Sequence, residues 1–98
     1  MTIEKSLNGT ALEIKLGGRL DTMTAPELEA ELNQSMDSAE SLVLDFSNLD
    51  YISSAGLRVL LSAHKVMSAK GGMKVTKVNE IVQEVFDVTG FADILTIE

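Results

Sequence analysis

The sequence predicts an α/β domain in which a mixed β-sheet of four to five strands carries helices packed on it, in the order β-β-α-β-α-β-α-β. Three observations carry this reading. The hydrophobic period switches repeatedly between two and the three-to-four spacing of a helix. After the first two segments, strand-like and helical stretches alternate, and strand-helix-strand units give parallel neighbours. The opening pair is separated only by Asn8-Gly9, which reads as a tight antiparallel turn. With 98 residues, 45% of them apolar, and a single proline, the chain is expected to hold one domain over residues 1–98.

Ile3, Lys5 and Leu7, then Leu12, Ile14 and Leu16, alternate on either side of Asn8-Gly9 and predict a hairpin. Thr24-Ala25-Pro26-Glu27 has the spacing of a capping box with proline in the first turn. Leu28, Leu32 and Met36 follow at intervals of four, predicting an amphipathic helix that ends near Ser38. "SLVLDF" is a short, nearly continuous apolar run, as expected of a central strand covered on both faces. Leu57, Leu60, Leu61, His64 and Met67 form the stripe of a second helix, widened by Val59, Ala63 and Val66 and stopped at Gly71-Gly72. "MKVTKV" alternates as a strand. Asn79 can cap a third helix bearing Ile81, Val82, Val85 and Phe86, which Gly90 ends, and "FADILTIE" closes with a helical turn and a short strand. Val43, Leu44, Phe46, Leu57, Leu60, Leu61, Val75, Val85 and Phe86 are the expected core.

Charge and composition exclude several function classes. Eight basic against 15 acidic residues give a formal net charge of −7, which repels nucleic acid and anionic membrane surfaces. The absence of cysteine removes disulfides and thiolate metal sites and is compatible with a reducing cytoplasm. No apolar run approaches the roughly 20 residues of a membrane span. A soluble, cytoplasmic protein is therefore expected. The carboxylates at Asp21, Asp45 and Asp50 follow no calcium or magnesium loop pattern, and the glycines form no phosphate-cradling motif, so no metal or cofactor is expected.

The chemistry concentrates in "LDYISSAGLRVLL", where Ser53 and Ser54 stand between a strand and a helix. Strand C-terminal edges are where α/β folds gather free helix N–H groups and place their sites. An N-cap serine contributes about 1 kcal/mol and explains one hydroxyl of the two. If Ser53 is that cap, its oxygen accepts from the amide of Ala55 or Gly56, and Ser54 becomes the first helical residue, projecting outward beside Arg58. Nucleophilic catalysis would need a base. The sole histidine, His64, lies ten positions further on, about 15 Å along a helix by its rise per residue. A Ser-His pair fits that separation poorly, and His64 reads as a core or interface residue.

Three segments together, "GGRLD", "LVLDFSNLDYISSAGLRVLL" and the "GF" after the third helix, resemble the STAS domain of bacterial anti-sigma factor antagonists, over about Leu12 to Ile97. The resemblance implies a STAS fold and a binding module, not an enzyme. It implies a partner that is a kinase-like anti-sigma factor of ATPase fold, which phosphorylates one serine at this helix start and so ends binding, and a PPM-type phosphatase that restores it. Family members commonly read Asp-Ser-Ser-Gly-Leu. Laid on this chain, Ser53 takes the aspartate position, Ser54 the phosphoacceptor, Ala55 the second serine and Gly56 the glycine, with Ser53 a secondary acceptor. Asp21, Ser53, Ser54, Ala55 and Gly56 are the partner-binding positions the resemblance implies; Arg58, one helical turn after Ser54 on the polar face, reads as a further partner contact, as a cation that neutralises the phosphate, or as an ordinary surface arginine. A monomer is expected of a module that exchanges partners. Two other classes remain: an unphosphorylated STAS scaffold or accessory subunit of a transporter ATPase or signalling assembly, and, remotely, a small serine-dependent enzyme.

Overall fold

The structure, a computed structural model, describes residues 1–98. Five strands and three α-helices follow one another as β1 (Thr2–Asn8), β2 (Ala11–Leu20), α1 (Ala25–Ser35), β3 (Ser41–Ile52), α2 (Ser54–Ser68), β4 (Met73–Thr76), α3 (Glu80–Thr89) and β5 (Thr96–Ile97). Short 3-10 turns at Met36–Ser38 and Phe91–Asp93 follow α1 and α3. The predicted element order and mixed sheet are both present.

The strands lie side by side in chain order, with β1 antiparallel to β2 and every later pair parallel. Each crossover thus advances one strand in the same direction, and right-handed crossovers then bring all three helices to the same face of the sheet. The other face stays open. Leu12, Ile14 and Leu16 of β2, Leu42 and Leu44 of β3, and Met73 and Val75 of β4 are buried. Their alternate neighbours Glu13 and Lys74 are exposed, Lys15, Val43 and Thr76 are half-buried, and Asp45 alone among them is buried, beside Lys77. The expectation that β3 is covered on both faces is therefore corrected: parallel pairing alone does not bury two faces when the winding never reverses.

Of the expected core, Leu44, Phe46, Leu57, Leu60, Val75 and Phe86 are buried, whereas Val43, Leu61 and Val85 are only half-buried. Val43 points to the open face. Leu61 lies about 100° round α2 from Leu60, at the margin of the packed stripe. The 24 buried apolar side chains form one contiguous cluster, and the Phe46 and Phe86 rings, 6.3 Å apart between centroids, tie α3 to β3.

Three boundaries differ from the sequence reading. The hairpin register pairs Asn8 with Ala11, so the loop is Gly9-Thr10, with Gly9 at φ 65° where a side chain would be strained. β4 stops at Thr76 because Lys77 turns into the left-handed region at φ 58°. β3 runs to Ile52, twice the length of its apolar stretch, because two register shifts against β2 interrupt its alternation without ending the ladder. At the first shift the Ser47 amide donates to Asp45 Oδ1 at 2.8 Å.

At the far end of α1 the Lys70 ammonium donates to the carbonyls of Met36 (2.6 Å), Ala39 (3.0 Å) and Asp37 (3.3 Å). A cation there satisfies acceptors that have no donor within the helix and opposes the negative end of its dipole.

Burial pushes the Asp45 carboxyl upward in pKa, but the Ser47 amide and hydroxyl and the charges of Lys77 and Lys15 outweigh it, leaving the group below its ordinary value. Its ionised form therefore stabilises the fold above about pH 4, and that contribution is lost as the pH falls through the lower folded value. Asp45→Asn is expected to flatten the decline of stability below about pH 4 in urea titrations. An acid limb identical to the parent's would show that Asp45 does not carry it. Leu60→Ala, which empties the centre of the α2 stripe, is expected to cost roughly 2 to 5 kcal/mol and to lower the melting temperature accordingly.

Candidate functional site: the start of helix α2

The junction between β3 and α2 is built by a close approach. Ser53 has extended backbone (φ −101°, ψ 176°), its amide donates to Leu20 O at 2.9 Å, and its carbonyl accepts from Leu57 N at 3.0 Å. It therefore joins the β2 end to the first turn of α2. Three residues on, a Cβ on Gly56 would lie 2.7 Å from Leu20 Cγ and 2.8 Å from Ile52 Cγ1, both in fully packed side chains. Only glycine lets the helix start sit this tightly on the sheet edge.

Ser53 occupies the N-cap position and Ser54 is the first helical residue, exposed, as expected. The expected capping bond is absent. Ser53 Oγ is buried without a hydrogen-bond partner, so it does not reach the amides of Ala55 or Gly56. The reason is local: the backbone is already pinned to Leu20 and Leu57, and the hydroxyl is closed in by the packed junction. The first-turn amides of α2 are left with no side-chain acceptor. Arg58, one turn beyond Ser54, is exposed and takes part in none of the chain's four ion pairs.

Asp21 does its work within the chain. Its Oδ1 accepts from the Met23 amide at 3.0 Å and the Thr24 amide at 3.1 Å, closing the turn that leads into α1. The predicted capping box at Thr24 and Glu27 does not form. The Thr24 hydroxyl instead donates to Arg19 O (2.8 Å) and accepts from the Asp21 amide (2.9 Å), so it faces back toward β2. Desolvation raises the Asp21 pKa, and the Thr24 and Met23 amides, the Thr24 hydroxyl and the Arg19 guanidinium more than offset it, holding the carboxyl below its ordinary value.

These elements bring the β2–α1 loop beside the α2 start. A shallow groove of about 230 Å³ runs between them, lined by Thr22, Ala25, Pro26, Glu29, Ala55, Arg58 and Val59. Met23, in the same loop, stands 85% exposed. Arg19 lies with its guanidinium carbon 4.4 Å from the Tyr51 ring centroid and its Nε 3.7 Å from Asp21 Oδ2. Sequence reasoning missed Thr22, Met23, Glu29 and the Arg19–Tyr51 stack. Met23 had a visible signal, a large apolar residue in a short strand-to-helix turn directly after Asp21, whereas Glu29 reaches the groove only by helix packing.

Asp21, Asp45 and Asp50 are not gathered into a cluster; the first two are committed to separate turns. His64 lines a different hollow of about 360 Å³ with Ser41, Ser68 and Lys74, and its Nδ1 is buried without a partner. The Ser54 hydroxyl thus has no base from this histidine. What the arrangement offers is an outward hydroxyl on a helix start, flanked by a mixed polar and apolar groove.

Comparison with known proteins agrees with this geometry. The family model for the STAS domain matches residues 2–98. BtrV of Bordetella bronchiseptica is 42% identical over 84 residues, covering 84% of this chain and 72% of its own. The anti-sigma F factor antagonist of Paenibacillus polymyxa is 31% identical over 100 residues, covering 99% and 86%. Among solved structures, an anti-sigma factor antagonist from Mycobacterium paratuberculosis superposes with a TM-score of 0.88 at 23% identity, over 98% of this chain and 83% of that one. Bacillus SpoIIAA in its phosphorylated form superposes with a TM-score of 0.76 at 16% identity, over 99% and 91%.

Because Ser53 Oγ is buried and unpaired, Ser53→Ala removes a desolvated hydroxyl and no capping bond. The variant is expected to match the parent or exceed it by up to about 1 kcal/mol in chemical denaturation. A loss of about 1 kcal/mol or more would mean that the serine caps α2 in solution after all.

Proposed function

The chain belongs to the STAS domain family, and from that premise we propose that it is an anti-sigma factor antagonist switched by phosphorylation of Ser54. The observation that carries the proposal is the placement of Ser54: exposed, first in α2, beside first-turn amides that no side chain occupies.

With Ser54 unmodified, the partner, an anti-sigma factor with the ATPase fold of a serine kinase, docks over the α2 start and the adjoining groove. Its contacts are Asp21 through the loop it holds, Ser53, Ser54, Ala55, Gly56 through the close approach it permits, and Arg58. The same partner then acts on its own docking site. Ser54 Oγ attacks the γ-phosphorus of ATP, the bond to the ADP oxygen breaks, and the hydroxyl proton passes to a base on the kinase. This chain supplies the acceptor and no catalytic group.

The phosphate brings a charge of about −1.5 to −2, and two features of the helix start accommodate it. The unpaired amides and the positive end of the α2 dipole face it, and Arg58 lies one turn away on the same surface. The domain therefore keeps its fold. A partner surface meets a solvated dianion that must be stripped of water or repelled, so the complex is lost. A PPM-type phosphatase returns the hydroxyl. The superposition on SpoIIAA in phosphorylated form supports a fold that tolerates such a group. No helix is long and apolar enough to cross a membrane. We place the protein in the cytoplasm, acting as a monomer.

Ser54→Asp is expected to fold with an unchanged circular dichroism spectrum and to lose binding to the ATPase-fold kinase, while Ser54→Ala binds and cannot be released by ATP. Incubation of the parent with that kinase and ATP, followed by fragment mass spectrometry, is expected to place the phosphate on Ser54. Equal binding by both variants would favour an unphosphorylated scaffold, and phosphate found only on Ser53 would exchange the roles of the two serines.

A further inference from the structure

A second surface lies on α3, none of whose residues lines the groove beside the α2 start. Ile81, Val85 and Val88 of α3 are spaced at four and then three, so they stack in one stripe along the helix. The core takes Val82 and Phe86 from the adjoining face. The stripe itself is left outside: Ile81 is 60% exposed, Val88 79% exposed and Val85 half-buried. Single exposed apolar residues are ordinary, but an aligned row on one helix marks an interaction site.

The surroundings of the row say what kind of partner fits it. Helical geometry places Glu80, Glu84 and Asp87 along its side opposite the core. None of the three takes part in an ion pair. Residues 78–98 contain five carboxylates and no Lys, Arg or His, so this end of the chain carries most of the net charge of −7. An apolar row beside an unneutralised acidic ridge is complementary to an apolar row beside a basic ridge. A second copy of the same face would set carboxylate against carboxylate, which disfavours self-association there.

We propose that the outer face of α3 docks a basic amphipathic helix of a partner protein, its leucine-like side seated on Ile81, Val85 and Val88 and its lysines or arginines paired with Glu80, Glu84 and Asp87. This face contributes nothing to the groove between α1 and α2. Binding at α3 is therefore independent of the state of Ser54, and one domain can hold a constant partner while exchanging another.

The test uses the intact chain and synthetic helical peptides, followed by amide NMR titration. The probe is an amphipathic leucine-lysine peptide; one control has its lysines replaced by glutamate and the other its leucines replaced by serine. The leucine-lysine peptide is expected to shift resonances of α3, and neither control to bind. Ile81→Ser with Val88→Ser, both at exposed positions, should weaken binding about tenfold or more through the lost apolar burial. Glu84→Lys with Asp87→Lys should abolish it, and Ser54→Asp should leave it unchanged. Shifts centred on the α1–α2 groove, equal binding by the leucine-free peptide, or undiminished binding by the Ile81/Val88 variant would overturn the proposal. So would a parent protein that sediments as a dimer and is dissociated by Val88→Ser, since the occupant would then be a second copy.

Discussion

The approach of α2 to the ends of β2 and β3 governs the functional end of this molecule. At Gly56 the helix lies so close to Leu20 and Ile52 that a methyl group has no room. That contact fixes where the helix begins and at what angle it leaves the sheet. It also determines the unequal fates of two adjacent serines. Ser53 is drawn into the junction and pinned through its backbone to Leu20 and Leu57, with its hydroxyl enclosed and unpaired. Ser54 is turned outward into solvent. A buried hydroxyl without a partner is a cost, and here it accompanies a packing arrangement that leaves the first-turn amides uncapped by any side chain. An anion on Ser54 finds those amides available.

A second constraint is the winding. Because every parallel crossover advances in one direction, the helices share one face and the molecule has two unlike sides. The helix side contains the core, the groove beside Ser54 and the outer row of α3. The open side of the sheet is polar, with Lys15, Asp45, Lys74 and Thr76 on it and Asp45 held by Ser47 and Lys77. The loop between β2 and α1 reaches the site because Asp21 folds it over its own amides, which brings Thr22 beside the α2 start. Two surfaces of different chemistry result, one centred on the exposed Ser54 hydroxyl and one on the apolar row and acidic ridge of α3.

The acidic balance of the chain sharpens both. On a domain of net charge −7, a further dianion at Ser54 adds to a field already unfavourable to acidic partners and depends on local amides and Arg58 to be held. The dipole of a helix start acts over a single turn, so what it offers an anion on Ser54 is local to the first amides of α2.

Much of this was legible in the sequence. Alternation in "ALEIKL" and in the opening hairpin, the helical stripe from Leu57 to Met67, the Asn79 cap, whose side chain accepts from the Val82 amide, and the stop at Gly90 with φ 82° all follow from local preferences that act within a few residues. The serine pair at a strand-to-helix junction was likewise visible, as were the N-cap position of Ser53 and the helical position of Ser54. Tertiary structure decided the rest. The sheet's open face could not be read from "SLVLDF", because an apolar strand buried on one face and half-buried on the other looks the same in one dimension. The direction of winding settles it. Thr24 and Ser53 both carry capping chemistry, yet neither makes the capping bond, since the carbonyl of Arg19 claims one hydroxyl and the packed junction at Gly56 encloses the other. Residue type sets which hydrogen bonds a side chain can make. Which one it does make depends on what the fold places within reach, and those neighbours lie far away along the chain.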